Sequence, residues 1–204
     1  MKEIEQLKVL LIDDHTLFSQ SLSFALKQFR SDLEIVVINR ESDLRKIDDV
    51  SIYDVVLLDI HLEKSFSTDG FEIAEYLLNL SSIIKIIMLT GFDLPVYEYK
   101  AEQLGIEGFV NKNIEAETLL EVIDSVISGH NYHSKEVEFH DELTDREKEI
   151  LVFLGEGNKR KEIASKLFIS DRTLTNHIQN ILEKLEVDST IRAIIKARKM
   201  GYIK

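Results

Sequence analysis

The run DVVLLD at residues 54–59 sets four consecutive aliphatic side chains between two aspartates. A strand of that composition has no polar face, so it belongs inside a sheet covered on both sides. KVLLI (8–12) and IKIIMLT (84–90) share this character, whereas EIVVIN (34–39) and IEGFV (106–110) are weaker strand runs. Amphipathic stretches at about 16–29, 41–48, 70–80, 95–104 and 115–128 lie between and after the five runs. Strand and helix alternate, so we expect an α/β fold, a parallel five-stranded sheet with helices on both faces.

The alternation ends near residue 130. HNYHSKEVEFHDE (130–142) has no sustained period and reads as a linker. Beyond it come four helical segments, LTDREKEILVFL, KRKEIASKLF, SDRTLTNHIQNILEKL and STIRAIIKARKMGYI, with Thr144 and Ser170 placed as caps and Gly155 and Gly157 as breakers. The expected organisation is a first domain over 6–129, a linker over 130–142 and an all-α domain over 143–204.

Net charge is −12, which on its face disfavours nucleic acid. The charge is uneven: residues 1–140 hold 12 Lys/Arg against 26 Asp/Glu, and residues 141–204 hold 13 against 11. The acidic excess lies in the first part, which lifts the objection for the second. There is no cysteine, so disulfides and thiolate chemistry are excluded. No apolar run approaches the roughly 20 residues of a membrane-spanning helix, and the opening MKEIEQLKVLL lacks a signal-peptide pattern. A cytoplasmic protein with no membrane insertion is expected.

In open parallel sheets, ligands bind beyond the carboxyl ends of the strands. Asp13 and Asp14 follow the first run, Asp59 ends the third, Thr90 ends the fourth and Lys112 lies just past the fifth. Singly, each reads as a cap, a turn residue or a solvated charge; together they put three carboxylates, a hydroxyl and an ammonium in one crevice. Clustered carboxylates repel one another and suit a hard divalent cation such as Mg²⁺. Asp59 could then attack a phosphoryl donor, with Lys112 offsetting phosphoryl charge and Thr90 donating a hydrogen bond to the acyl phosphate.

In order and spacing these residues resemble the receiver domain of two-component response regulators, over roughly residues 6–129. The resemblance implies a flavodoxin-like sheet of strand order 2-1-3-4-5. It makes Asp59 the phosphoacceptor, Asp13 and Asp14 the acidic pair, and the backbone carbonyl of His61 a further metal ligand. Thr90 becomes the switch hydroxyl, Lys112 the phosphate-contacting lysine and Phe109 the switch aromatic. His61 and Phe92 occupy positions that tune dephosphorylation in the family. Two features depart from the pattern. The loop DIHLEKSFSTDG (59–70) has no proline and is about three residues longer than usual, and Asn113 stands where a proline commonly follows the lysine. A cis peptide there is not expected.

The second part resembles the LuxR-type helix-turn-helix domain of the NarL/FixJ subfamily. The resemblance rests on Leu143-Thr144-x-Arg146-Glu147, on Lys161 to Ala164, on Ile169-Ser170 and on Thr173 to His177. It implies a four-helix fold whose third helix presents Thr175, Asn176 and Gln179 to DNA bases, with Lys159, Arg160, Lys161, Arg172 and Lys184 meeting phosphates. Any one of those five cations would serve equally as a solvated charge. Ile163, Leu167, Leu174, Ile178, Ile181 and Leu185 recur at helical spacing and are assigned to the core. In relatives the last helix, about 189–200, forms the dimer interface, but its apolar residues could equally fill the core.

The combined expectation is a transcription factor, not an enzyme, whose Asp59 is phosphorylated by a sensor histidine kinase with Mg²⁺, promoting a homodimer on DNA. His130, His133 and His140 match no compact metal site, and His15 reads as a helix-start residue. Two alternatives stay open. One is a phosphohydrolase, although enzymes of the haloacid-dehalogenase kind place Asp-x-Asp after the first strand, where Asp13 and Asp14 are adjacent. The other is a DNA-binding regulator whose receiver is only a dimerisation scaffold, suggested by the long loop after Asp59.

Overall fold

The computed structural model describes residues 6–62, 65–92, 94–133 and 142–203. Most of the linker lies outside this range, His140 included. The chain divides into two compact units.

In the first unit, five parallel strands run in the order β2-β1-β3-β4-β5: β1 (Leu7–Ile12), β2 (Leu33–Ile38), β3 (Val55–Asp59), β4 (Ile86–Thr90) and β5 (Gly108–Asn111). The three strands without polar alternation are the three central ones, and every residue of β3 and β4 is buried. β2 lies at an edge and is correspondingly more exposed. The helices are α1 (Thr16–Phe29), α2 (Glu41–Leu44), α3 (Gly70–Leu80), α4 (Pro95–Gln103), of which the part from Lys100 onward falls in this unit, and α5 (Ala116–Ile127).

Alternation along the strands sorts the core into two layers. Val9, Leu11, Val55, Leu57, Ile87 and Leu89 share one cluster with Leu26 of α1 and with Leu119, Ile123 and Val126 of α5. The intervening residues face the other way. Thr90 shares its face with Met88, and Met88 is in register with Phe109, so Thr90 and Phe109 lie on the same side of the sheet.

Two segments differ from their sequence reading. The helix expected over about 41–48 stops after Leu44, and a 3-10 turn, Val50–Ile52, follows with Asp49 accepting from the Ser51 backbone N–H at 2.8 Å. The aspartates that polarise the end of this stretch favour capping over helix continuation. Beyond α5, Tyr132 pairs in parallel with Gly108: its carbonyl accepts from the Phe109 N–H at 2.9 Å, and its N–H donates to the Glu107 carbonyl at 2.7 Å. The start of the expected linker therefore covers the β5 edge, which would otherwise present unpaired backbone groups. His133 Nε2 lies 2.9 Å from the Ile106 carbonyl.

The second unit contains α6 (Asp145–Gly155), α7 (Arg160–Lys166), α8 (Asp171–Lys184) and α9 (Thr190–Met200). Thr144 and Ser170 cap α6 and α8 as expected, and Thr144 forms a reciprocal capping box with Glu147. All six residues assigned to the core are buried there. The apolar residues of α9 divide: Ala193 and Ala197 are buried, while Ile191 and Ile195, one turn apart, are exposed.

Candidate functional site

Asp13, Asp14, Asp59, Thr90 and Lys112 converge at the carboxyl ends of β1, β3, β4 and β5. The first four are buried. The Lys112 ammonium lies 2.8 Å from a carboxylate oxygen of Asp13 and 2.8 Å from one of Asp59, and its Nζ also sits over the Phe18 ring at 4.7 Å. The backbone places this lysine, because the Lys112 N–H donates to the Thr90 carbonyl at 2.7 Å. The Lys112–Asn113 bond is trans, in keeping with asparagine at 113.

Burial pushes the Asp59 carboxyl above its ordinary value, the Lys112 ammonium pulls it back, and Asp13 adds to the rise. Asp59 Oδ1 also accepts from the His61 N–H at 3.2 Å. Two buried carboxylates thus face one lysine ammonium, the third, Asp14, lies among them, and that donor set suits a hard dication with oxygen ligands. Ligand atoms of Asp13, Asp14, His15 and Asp59 all lie within 4.8 Å of one another.

Thr90 and Phe109 occupy the expected places in an arrangement with a definite direction. The Thr90 hydroxyl donates to the Phe92 carbonyl at 2.7 Å and accepts from the Phe92 N–H at 3.0 Å, so it is turned onto its own loop. Phe109 is buried in β5. His61 and Phe92 meet edge to face with ring centroids 6.0 Å apart. They help line a cleft of about 570 Å³ that reaches Asp59 between Leu17, Phe18 and Lys112.

The atypical loop after Asp59 is anchored at both described ends. Ile60, Leu62 and Phe66 are buried. Ser67 donates both its N–H and its hydroxyl to Glu41, whose carboxyl the Arg45 guanidinium and Ser67 hold down to about 2. The loop closes on Gly70, where a Cβ would come within 2.1 Å of the Asp59 carbonyl oxygen. Only glycine allows α3 to begin so close to the end of β3.

Sequence reasoning missed one side chain here. His15 does start α1 as its N-cap residue but makes no side-chain cap bond. Its Nδ1 lies instead 2.8 Å from Asp14 and 3.4 Å from Asp13. Adjacency to the acidic pair was the available signal.

In the second unit, Lys159, Arg160, Lys161, Arg172, Thr175, Asn176 and Gln179 are exposed at the start of α7 and along α8. The Thr175 hydroxyl donates to the Asp171 carbonyl at 2.8 Å, and Gln179 Nε2 donates to Glu183 at 3.0 Å. Lys184 behaves differently: its Nζ lies 2.8 Å from Oε2 of the buried Glu147. Burial alone would raise Glu147, but Lys184 and the Thr144 N–H and hydroxyl outweigh it and hold the carboxyl below its usual range. The structure commits Lys184 to this internal pair and not to the exposed set. A glutamate at the third helical position announced a capping box, but nothing in the sequence tied it to a lysine 37 residues away.

Comparison with known proteins agrees with this geometry. Residues 9–124 match the response regulator receiver domain, and residues 141–197 match the bacterial regulatory proteins of the luxR family. The transcriptional regulatory protein DesR of Bacillus subtilis (strain 168) is 38% identical over 156 residues, covering 74% of this chain and 76% of the relative. The response regulator protein VraR of Staphylococcus aureus is 29% identical over 211 residues, covering 97% and 99%. Among solved structures, the response regulator ChrA of a heme-sensing two-component system has a TM-score of 0.53 at 27% identity, covering 97% of this chain and 99% of that one. The response regulator RcsB in a DNA complex has a TM-score of 0.66 at 22% identity, with 95% and 98% covered, and shares the fold. The chain belongs to the two-component response regulators of the NarL/FixJ type, transcription regulators that join a receiver domain to a LuxR-type DNA-binding domain.

Proposed function

We propose that Asp59 accepts a phosphoryl group from a sensor histidine kinase and that the modified protein forms a homodimer that binds DNA sequence-specifically. The observation that carries this reading is the placement of Lys112 within 2.8 Å of both Asp13 and Asp59 inside a buried carboxylate cluster. Mg²⁺ would be held by Asp13, Asp14, Asp59 and the backbone carbonyl of His61, and when bound it offsets the charge of the carboxylates and of the incoming phosphoryl oxygens.

Asp59 supplies the nucleophilic oxygen, which bonds to phosphorus as the bond to the donor breaks and its electron pair leaves with the donor. Lys112 then pairs with a phosphoryl oxygen in place of a carboxylate. Thr90 must exchange its bond to the Phe92 carbonyl for one to the phosphoryl group, a charge-assisted acceptor. Phe109 lies on the same face of the sheet and fills the space the Thr90 side chain leaves. The outcome is a population shift toward the dimer, and a near-complete switch needs on the order of 5 kcal/mol shared between phosphorylation and DNA.

On DNA, Asn176 and Gln179 read base edges, and Thr175, its hydroxyl spent on Asp171, offers its methyl. Lys159, Arg160, Lys161 and Arg172 supply phosphate attraction. We assign domains to 6–129 and 143–204, and place the protein in the cytoplasm; among the described residues no helix is long and apolar enough to cross a membrane.

Incubating the full chain with acetyl phosphate and Mg²⁺, followed by intact-mass measurement, tests the first step. Wild-type protein should gain one hydroxylamine-labile phosphoryl group and Asp59→Asn none. Equal labelling of both removes Asp59 from the role. No labelling of a wild-type protein that still binds DNA favours the scaffold alternative.

A further inference from the structure

All four helices of the DNA-binding unit end in the same way. A residue just past the helix, one beyond the cap in α6, α7 and α8 and the cap itself in α9, takes a left-handed conformation, and its own N–H and the next one turn back onto carbonyls of the last turn. After α6 and α9 that residue is Gly157 or Gly201, for which positive φ carries no steric penalty. After α7 it is Phe168, at φ 55, with the Phe168 N–H bonded to the Ser165 carbonyl at 3.2 Å and the Ile169 N–H to the Ala164 carbonyl at 3.0 Å. After α8 it is Glu186, a polar residue suited to solvent.

Phe168 is an anomaly on two independent counts. Its backbone position favours glycine or asparagine, and its ring, 96% exposed, contributes nothing to the core. It is the most exposed large hydrophobic residue among those described. A lone exposed apolar side chain is ordinary, but one held at a left-handed position without a packing partner among the described residues is not accounted for by turn geometry or by the core.

Its position says which partner. Phe168 stands in the turn between α7 and α8, two residues before Ser170, the cap of α8, and four before the exposed Arg172. It borders the start of the helix that the proposed function places in the major groove. Arg146 donates to the carbonyl of the preceding Leu167, which ties a guanidinium to the backbone of this turn.

We propose that Phe168 is an apolar DNA contact, its ring packing on deoxyribose and thymine methyl groups at the edge of the groove that α8 enters. This rests on the DNA-binding reading and adds to it a contact that carries no charge. An apolar contact strengthens binding without releasing counterions, so it leaves the salt dependence unchanged. That separates it from every cation nearby.

The test uses the full-length protein and a duplex that the wild type selects from a random pool. Affinities of wild type, Phe168→Ala and Phe168→Gly are measured at several salt concentrations, with amide exchange of α7 and α8 recorded in parallel. Both variants should bind on the order of tenfold more weakly, as expected for losing partial burial of one phenyl ring. The slope of log K against log salt should not change. In Phe168→Gly the protection of α7 and α8 should be equal to wild type or greater, which excludes misfolding as the cause. Unchanged affinity in both variants overturns the proposal, and so does a loss accompanied by a lower salt slope. Unchanged DNA affinity with reduced transcription by added RNA polymerase overturns it in favour of a protein contact. If the wild type selects no duplex, the DNA-binding reading itself fails; a wild type that binds as well as its variants refutes only the role of Phe168.

Discussion

Replacing Lys184 by methionine keeps an unbranched apolar stem of nearly the same length and removes the ammonium, leaving the Glu147 carboxylate without its ion partner. Removing one member of a fully buried pair costs about 3–5 kcal/mol. Here the Glu147 side chain is 3% exposed but that of Lys184 is 30%, so solvent screens part of the attraction. Glu147 also keeps the Thr144 N–H at 2.8 Å and hydroxyl at 3.0 Å. We therefore expect a loss of about 1–2 kcal/mol. Native-state hydrogen exchange reads this locally: amides of α6 and α8 should exchange roughly 5–30 times faster, with those of β1 and β3 unchanged. The pH dependence follows from the sign of the Glu147 shift. Because folding holds its carboxyl below the usual range, the stabilisation is present above the unfolded value of about 4.3 and is lost as pH falls through the folded value. The difference between wild type and Lys184→Met should shrink over that acid window. Unaltered exchange at neutral pH, together with a salt slope for DNA binding reduced by about 1, would show that Lys184 meets phosphate and that the internal pair is incidental.

Two further substitutions probe the site and the reading surface. Gly70→Ala places a methyl group against the Asp59 carbonyl and should destabilise the receiver by about 2 kcal/mol or more while lowering the phosphorylation rate; chemical denaturation and intact-mass kinetics would check both. Asn176→Ala should relax preference at one base pair by about 1–3 kcal/mol, whereas Arg172→Ala should weaken all sequences alike and lower the salt slope by about 1; binding to a panel of single-substituted duplexes at several salt concentrations separates the two.

Features that depend on one strand or one helix were legible in the sequence. The unbroken apolar runs at β1, β3 and β4 marked the buried centre of the sheet, and the polar residues just past them marked the site. In α8 the 3.6-residue spacing of Leu174, Ile178 and Ile181 separated core from exposed face. What escaped depends on pairing between distant segments. The Lys184–Glu147 pair joins two helices, and the Tyr132 strand addition joins the start of the linker to β5. The direction of the Thr90 hydroxyl was equally out of reach, since a serine or threonine after a strand can bond to any of several nearby groups. Phe168 was visible as a residue, but its anomaly appears only with its backbone angle and exposure.

The central claim, that modification at Asp59 controls DNA binding, is tested most directly by the affinity of the full-length protein for a selected duplex. The measurement is made at one salt concentration, before and after incubation with acetyl phosphate and Mg²⁺, on wild type and Asp59→Asn. Wild-type affinity should rise about tenfold or more, equivalent to about 1.4 kcal/mol, while Asp59→Asn stays where it began. Equal affinities for phosphorylated and unphosphorylated wild type would contradict the account.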